Sequence, residues 1–212
     1  HEYEANAFAS HLIIDDDELI DLMKQDYDVV QLSAAMGTNI NLMLIKLNEL
    51  NYLEAAKFYP DKTPYDKVAH YAVFGGSPFV NQALRPTATL RENIVSTILN
   101  PVSAVYLYAS QLLLSDYSVK INAERIFAVI GNGKKRYSEI EDKLDVKKTG
   151  NLAKQMKPLR DLEIISRNYP INKLNDSKKS TFEINDNLLR FYFTFIYKNA
   201  SALQVLGAEA FY

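Results

Sequence analysis

His1 and Glu2 open the chain, and His11 follows ten residues later. A zinc peptidase needs His-Glu-x-x-His on one helix: the histidines share a face and bind the metal, and the glutamate acts as base. Here the fifth position is Ala5, so the pattern fails. The spacing of His1 and His11 imposes no shared metal geometry, and both read as solvated side chains. His70 lies in an apolar stretch with no ligand pattern around it and reads as a core or boundary histidine. A phosphate-binding loop needs Gly-x-x-x-x-Gly-Lys-Ser/Thr, so that backbone N–H groups wrap phosphate. The nearest imitation ends at Gly133-Lys134, but Ala128 stands at the first glycine and Lys135 at the hydroxyl position, so it reads as a turn. The 212 residues contain no cysteine, which excludes a disulfide, a thiolate zinc site and a cysteine nucleophile among them.

Charge is the stronger signal. The net charge of −2 conceals two opposed halves. Residues 1–59 hold 11 acidic and 3 basic side chains, a balance of −8; residues 120–179 hold 15 basic and 8 acidic ones, a balance of +7. Within the basic region, Leu152, Met156 and Leu159 recur at i, i+4 and i+7 and predict the core face of a helix. Lys154 and Lys157 then fall roughly opposite. Lys147 and Lys148 precede this helix, Arg160 lies near its end, and Lys178 and Lys179 belong to the loop beyond it. This set predicts a surface that touches phosphates more than it reads bases. A solvated basic face on a protein–protein adaptor has the same composition, and both readings stand. The aromatic row Phe191, Tyr192, Phe193, Phe195 and Tyr197 has the residue types that stack on bases, but its spacing favours packing against the preceding elements.

The elements that position these residues are mainly helical. Tyr3, Ala7, Phe8 and Leu12 have helical spacing, and the run Asp15 to Glu18 suits the first turn of a second helix. Asp28 predicts the cap of VVQLSAAM, Gly37 its end, and NINLMLIKLNELN a further helix. The turn between them resembles a helix-turn-helix, but its acidic flanks oppose phosphate, so it reads as packing. Thr63, Pro64 and Gly75-Gly76 predict the cap, first turn and stop of another helix. ATLRENIVSTIL and VSAVYLYASQLLLSDY continue the pattern. From residue 119 onward the reading is INAERIFAVIG, then RYSEIEDKLDV capped by Ser138, then TGNLAKQMKPLRDLEII with a bend at Pro158. SRNYPI and KSTFEI read as two short strands, and NLLRFYFTFIYKNASAL as a closing aromatic helix. Three helices followed by a two-stranded ribbon is the winged helix-turn-helix plan.

Two resemblances extend this reading. EANAFASHLIIDDDEL resembles the stretch that follows the zinc motif in ImmA/IrrE-type metallopeptidases. In that family its glutamate is the third zinc ligand, which by motif is Glu4. The family's histidine pair lies on a helix that is not among these residues, so Glu4 stands alone and a catalytic zinc lacks its ligands. From about residue 60 to 200, AVFGGSPFVNQAL, LRENIVSTIL and FEINDNLLRFYFTFIYKN resemble the C-terminal part of archaeal-type AAA+ ATPases. There a helical lid with a Gly-Gly-x-Pro stretch (here Gly75, Gly76 and Pro78) follows the P-loop core and precedes a winged helix. The P-loop itself is not present in these residues.

The resulting expectation is a mainly α chain in three parts. Residues 1–51 form an ImmA/IrrE-like helical tail, 52–118 a helical AAA+ lid-like segment, and 119–212 a winged helix with a small β-wing and a closing aromatic helix. Its expected function is that of a non-catalytic portion of an AAA+ ATPase, binding duplex DNA or a protein partner. The alternatives are an inactive metallopeptidase remnant and a protein adaptor. No cofactor is expected in this chain; ATP with magnesium and zinc belong to the resembled families. No apolar run approaches the roughly 18 residues of a membrane span, no basic-then-apolar leader is visible, and a cytoplasmic placement is expected.

Overall fold

The computed structural model describes residues 9–10, 12–23, 25, 27, 29–39, 42–43, 46, 50–106, 123–145, 151–161, 164–172 and 176–212. The expected first helix around Tyr3 to Phe8, the cap at Asp28, much of NINLMLIKLNELN and most of VSAVYLYASQLLLSDY lie outside the described residues. The described elements are mainly helices, and the chain divides into two compact units, His1–Asn93 and Ile94–Tyr212.

The first unit contains α1 (Asp16–Met23), α2 (Val29–Ala35), α3 (Tyr52–Ala55), a 3-10 turn (Ala56–Phe58), α4 (Pro64–Phe74) and α5 (Pro78–Gln82), and it takes in the start of α6 (Leu90–Ser96). The acidic start of α1 caps itself: the Asp15 carboxylate accepts from the Glu18 N–H at 2.9 Å. α4 begins as its sequence predicts. The Thr63 hydroxyl accepts from the Asp66 N–H at 3.2 Å, and Pro64 takes the first position. Gly75 ends α4 at φ 71°, a left-handed value that glycine adopts without strain. Gly76 is required for space instead. A Cβ there would lie 1.8 Å from the Leu50 carbonyl oxygen.

This unit runs without a break across the Asn51–Tyr52 junction. Asn51 caps α3 and accepts from Leu53 and Glu54, while the Glu54 carboxylate returns the bond to the Asn51 N–H at 2.6 Å. Lys57 pairs with Asp17 at 2.5 Å, and the Gln82 amide donates to the Met23 carbonyl at 2.9 Å. His70 is buried, as are its neighbours Tyr59 and Phe74.

The second unit holds α7 (Ala123–Ile130), β1 (Lys135–Arg136), α8 (Tyr137–Leu144), α9 (Asn151–Asp161), β2 (Ile165–Asn168), β3 (Thr181–Ile184) and α10 (Asn187–Phe191). The sheet order is β1-β3-β2, all antiparallel. Arg167 on β2 and Lys135 on β1 both pair with Phe182 on β3. Alternation along β3 buries Phe182 and Ile184. They meet Ile126, Phe127 and Ile130 of α7, Ile140 of α8, and Leu152, Met156 and Leu159 of α9 in one apolar core.

Three local expectations are corrected. Ser138 does not cap α8, which begins at Tyr137; the Glu139 carboxylate accepts from the Arg136 N–H at 2.6 Å and takes that role. The ribbon has a third strand, because the turn at 131–134 delivers Lys135 and Arg136 alongside β3. The aromatic tail is not one α-helix. α10 passes into a π-helical turn (Tyr192–Ile196), a 3-10 turn (Tyr197–Asn199), α11 (Ala200–Leu206) and α12 (Ala208–Phe211). At the π turn the Thr194 hydroxyl lies 2.6 Å from the Arg190 carbonyl and 2.7 Å from that of Gly131, so a side chain competes with the backbone ladder. α9 continues through Pro158, which supplies no N–H to the turn before it.

Candidate nucleic-acid interface

α9 presents its cations as the apolar spacing dictates. Leu152, Met156 and Leu159 are buried in the core, while Lys154, Lys157 and Arg160 are exposed. Lys178 and Lys179, in the connection between β2 and β3, are also exposed. Lys147, Lys148 and Glu4 lie outside the described residues. The aromatic row mostly faces inward. Phe193 is fully buried against Phe127, with ring centroids 5.4 Å apart, and Tyr192 contacts both Phe193 and Tyr197. Phe195 is the exception, 56% exposed and paired with Phe191.

Beside the exposed cations is a pocket of about 520 Å³. Tyr137 and Ser138 from the start of α8, Arg160 from α9, Arg167 from β2, Lys178 from the hairpin connection and Phe182 from β3 line it. Ser177, Met156 and Ala153 complete its wall. Among the described residues, no aspartate or glutamate lines it. Three acids adjacent in sequence to lining residues are turned to other work: Glu139 accepts from the Arg136 N–H, Asp176 from the Lys178 N–H at 3.1 Å, and Glu183 from the Asn168 amide at 2.6 Å.

Arg167 is the most firmly held of the three cations. Its Nε donates to the Ser180 hydroxyl at 2.8 Å and its Nη2 to the Ser177 carbonyl at 3.1 Å. Its guanidinium lies 5.0 Å from the Tyr169 ring centroid and 5.6 Å from that of Phe182, distances at which cation and ring attract. Burial pushes the Tyr137 phenol up, with the charge of Glu141 adding to it, so this side chain enters the pocket as a neutral hydroxyl. The arrangement suits an anion beside an aromatic or apolar group.

Arg160 and Lys178 are named by the sequence, and the fold brings them together here. Tyr137, Ser138, Arg167 and Ser177 are not. The only sequence signal for Arg167 was its place in a short β-like run two residues after Ile165. Among the described residues there is no group of three or more metal-ligating side chains, and no helix long and apolar enough to cross a membrane.

No family model matches the chain, and no solved structure matches it. Among curated proteins, it is 24% identical over 162 residues to "Uncharacterized protein MJECL04" of Methanocaldococcus jannaschii. That alignment covers 76% of this chain and 36% of the relative, so the chain matches well under half of that protein's length.

Proposed function

We propose that residues 119–212 are a winged-helix module that binds duplex DNA with little sequence preference. The chain is then the non-catalytic C-terminal portion of an archaeal-type AAA+ ATPase. One observation carries the DNA reading: on α9, Lys154, Lys157 and Arg160 are all exposed while Leu152, Met156 and Leu159 are all buried. A helix that buries one stripe and lines the other with cations offers a row of phosphate contacts. The order α7, α8, α9, then an antiparallel β2–β3 hairpin with Lys178 and Lys179 in its connection, supports the winged-helix assignment. Lysines at most of these positions supply charge rather than a bidentate pattern, so affinity exceeds specificity.

Fluorescence anisotropy with two unrelated duplexes over a salt series tests the reading. Similar affinities for both, falling steeply as salt rises, are expected. Absence of binding at low salt overturns it and leaves the adaptor reading in front.

A further inference from the structure

We propose that the pocket between α8, α9 and the β2–β3 hairpin is a receptor for a phosphate monoester carried on a nucleoside. Three features lead there. Among the described residues the lining has three cations and no carboxylate, more positive charge than one phosphodiester would balance. A monoester dianion fits that balance better. Arg167 is held before any ligand arrives, by Ser180, by Ser177 and by the faces of Tyr169 and Phe182. Two of its five N–H groups make these bonds, so the direction of the rest of the fork is set in advance. Finally, the volume of about 520 Å³ is of small-molecule size and far exceeds one phosphate. The remaining wall is Tyr137, Phe182, Met156 and Ala153, which suits a flat ring.

In this arrangement Arg167 and Arg160 take the phosphate oxygens and Lys178 closes the open side as a mobile charge. The Ser138 and Tyr137 hydroxyls donate to the same group, and the base lies on the aromatic wall. Two sources supply this chemistry: a free mononucleotide, and the phosphorylated end of a nucleic-acid strand.

The test uses the full chain and calorimetric titration. One arm compares adenosine monophosphate with adenosine and with inorganic phosphate. The other compares a five-nucleotide strand bearing a 5′-phosphate with the same strand bearing a 5′-hydroxyl. At least a tenfold preference for the phosphorylated ligand is expected in one arm or both. Preference in the strand arm alone assigns the site to strand ends; equal preference in the two arms assigns it to the mononucleotide unit. Arg160→Gln with Lys178→Gln alters two exposed side chains and should abolish the preference at unchanged thermal stability. Arg167→Lys keeps the charge, loses the fork and should weaken the preference. Lys154→Gln lies outside the pocket, and it should weaken duplex binding while the phosphate preference persists. That difference separates this site from the duplex-binding face, so either can fail alone. Equal affinity for phosphorylated and unphosphorylated ligands in both arms overturns the proposal, as does a preference that survives Arg160→Gln with Lys178→Gln.

Discussion

Lys46 and Glu54 face each other across the Asn51–Tyr52 peptide, the ammonium 3.5 Å from the carboxylate, and Asp16 closes on the same ammonium from α1. Lys46 is 1% exposed, so its charge is buried and these carboxylates compensate it. Burial works to raise the Asp16 carboxyl, but hydrogen bonds with the Lys46 and Glu54 side chains and the charges of Lys46 and Lys57 together hold it below the usual range. The acidic first segment is thereby tied into the residues that follow it.

Removing the ammonium should therefore be costly. Lys46→Met leaves Glu54 buried without its cation, a loss of about 3–5 kcal/mol for a broken buried pair. Chemical denaturation of the full chain measures it. The Asp16 carboxyl should rise in the same variant, which carboxyl-detected NMR titration reads directly. An unchanged Asp16 would separate the pair from its assigned cause.

His70 predicts a pH dependence. Burial holds its imidazole below the ordinary value of 6.5. Its Nδ1 lies 2.7 Å from the Asp66 carbonyl and its Nε2 3.3 Å from the Asn93 amide nitrogen. A neutral ring with hydrogen on Nδ1 satisfies both, since the Asn93 amide then donates to Nε2. Protonation would set two donors against each other. The unfolded chain takes up this proton first, so stability is full above pH 6.5 and falls as pH drops from there toward the folded-state value. Denaturation midpoints at pH 7.5 and 5.5 should differ for the wild type and differ less for His70→Gln.

Two glycines are fixed by space, and their replacement should cost stability in a defined order. A Cβ at Gly131 would meet the Phe193 Cβ at 2.7 Å and the Phe127 carbonyl at 2.9 Å; one at Gly76 would meet the Leu50 carbonyl at 1.8 Å. Overpacking of this kind costs about 1–3 kcal/mol, and Gly76→Ala should be the worse of the two because its contact is far closer, 1.8 Å against 2.7 Å. Urea denaturation ranks them. Gly37→Ala, with open space around the Cβ but φ 61°, should cost less than either.

On α9, Lys154→Ala with Lys157→Ala should weaken duplex binding for every sequence alike. If each lysine neutralises one phosphate, the salt dependence flattens by about two units, at roughly 0.9 per contact. A loss confined to one sequence would mean that these residues read bases.

Much of this fold is legible in local spacing. Thr63-Pro64, the i, i+4, i+7 stripe of Leu152, Met156 and Leu159, and the alternation of Phe182 and Ile184 each report one element by itself. What spacing misses is set by contacts distant in the chain. β1 is two residues long and exists only because Phe182 and Thr181 pair with it. The π turn depends on Thr194 reaching Gly131, 63 residues away. Ser138 has the residue type of a cap, yet Glu139 one position later has the reach. The pocket gathers side chains from α8, α9, β2, β3 and the hairpin connection. No window of sequence contains it, and Arg167 gains its role only through Ser177, Ser180 and Phe182.

The sheet order has a consequence for synthesis. β3 is the middle strand, yet it is the last of the three to leave the ribosome, and Phe193, which seals the core against Phe127, comes later still. The unit His1–Asn93 is complete in sequence before the second unit has begun its sheet. α7, α8 and α9 must therefore wait as a bare helical array, with Ile126, Phe127 and Met156 facing water, until β3 (Thr181–Ile184) and Phe193 arrive. Long-range closure of this kind is the slow step of folding and the moment of greatest aggregation risk. A nascent chain paused before residue 181 should be far more protease-sensitive in this unit than one released past residue 199, while the first unit is equally protected in both.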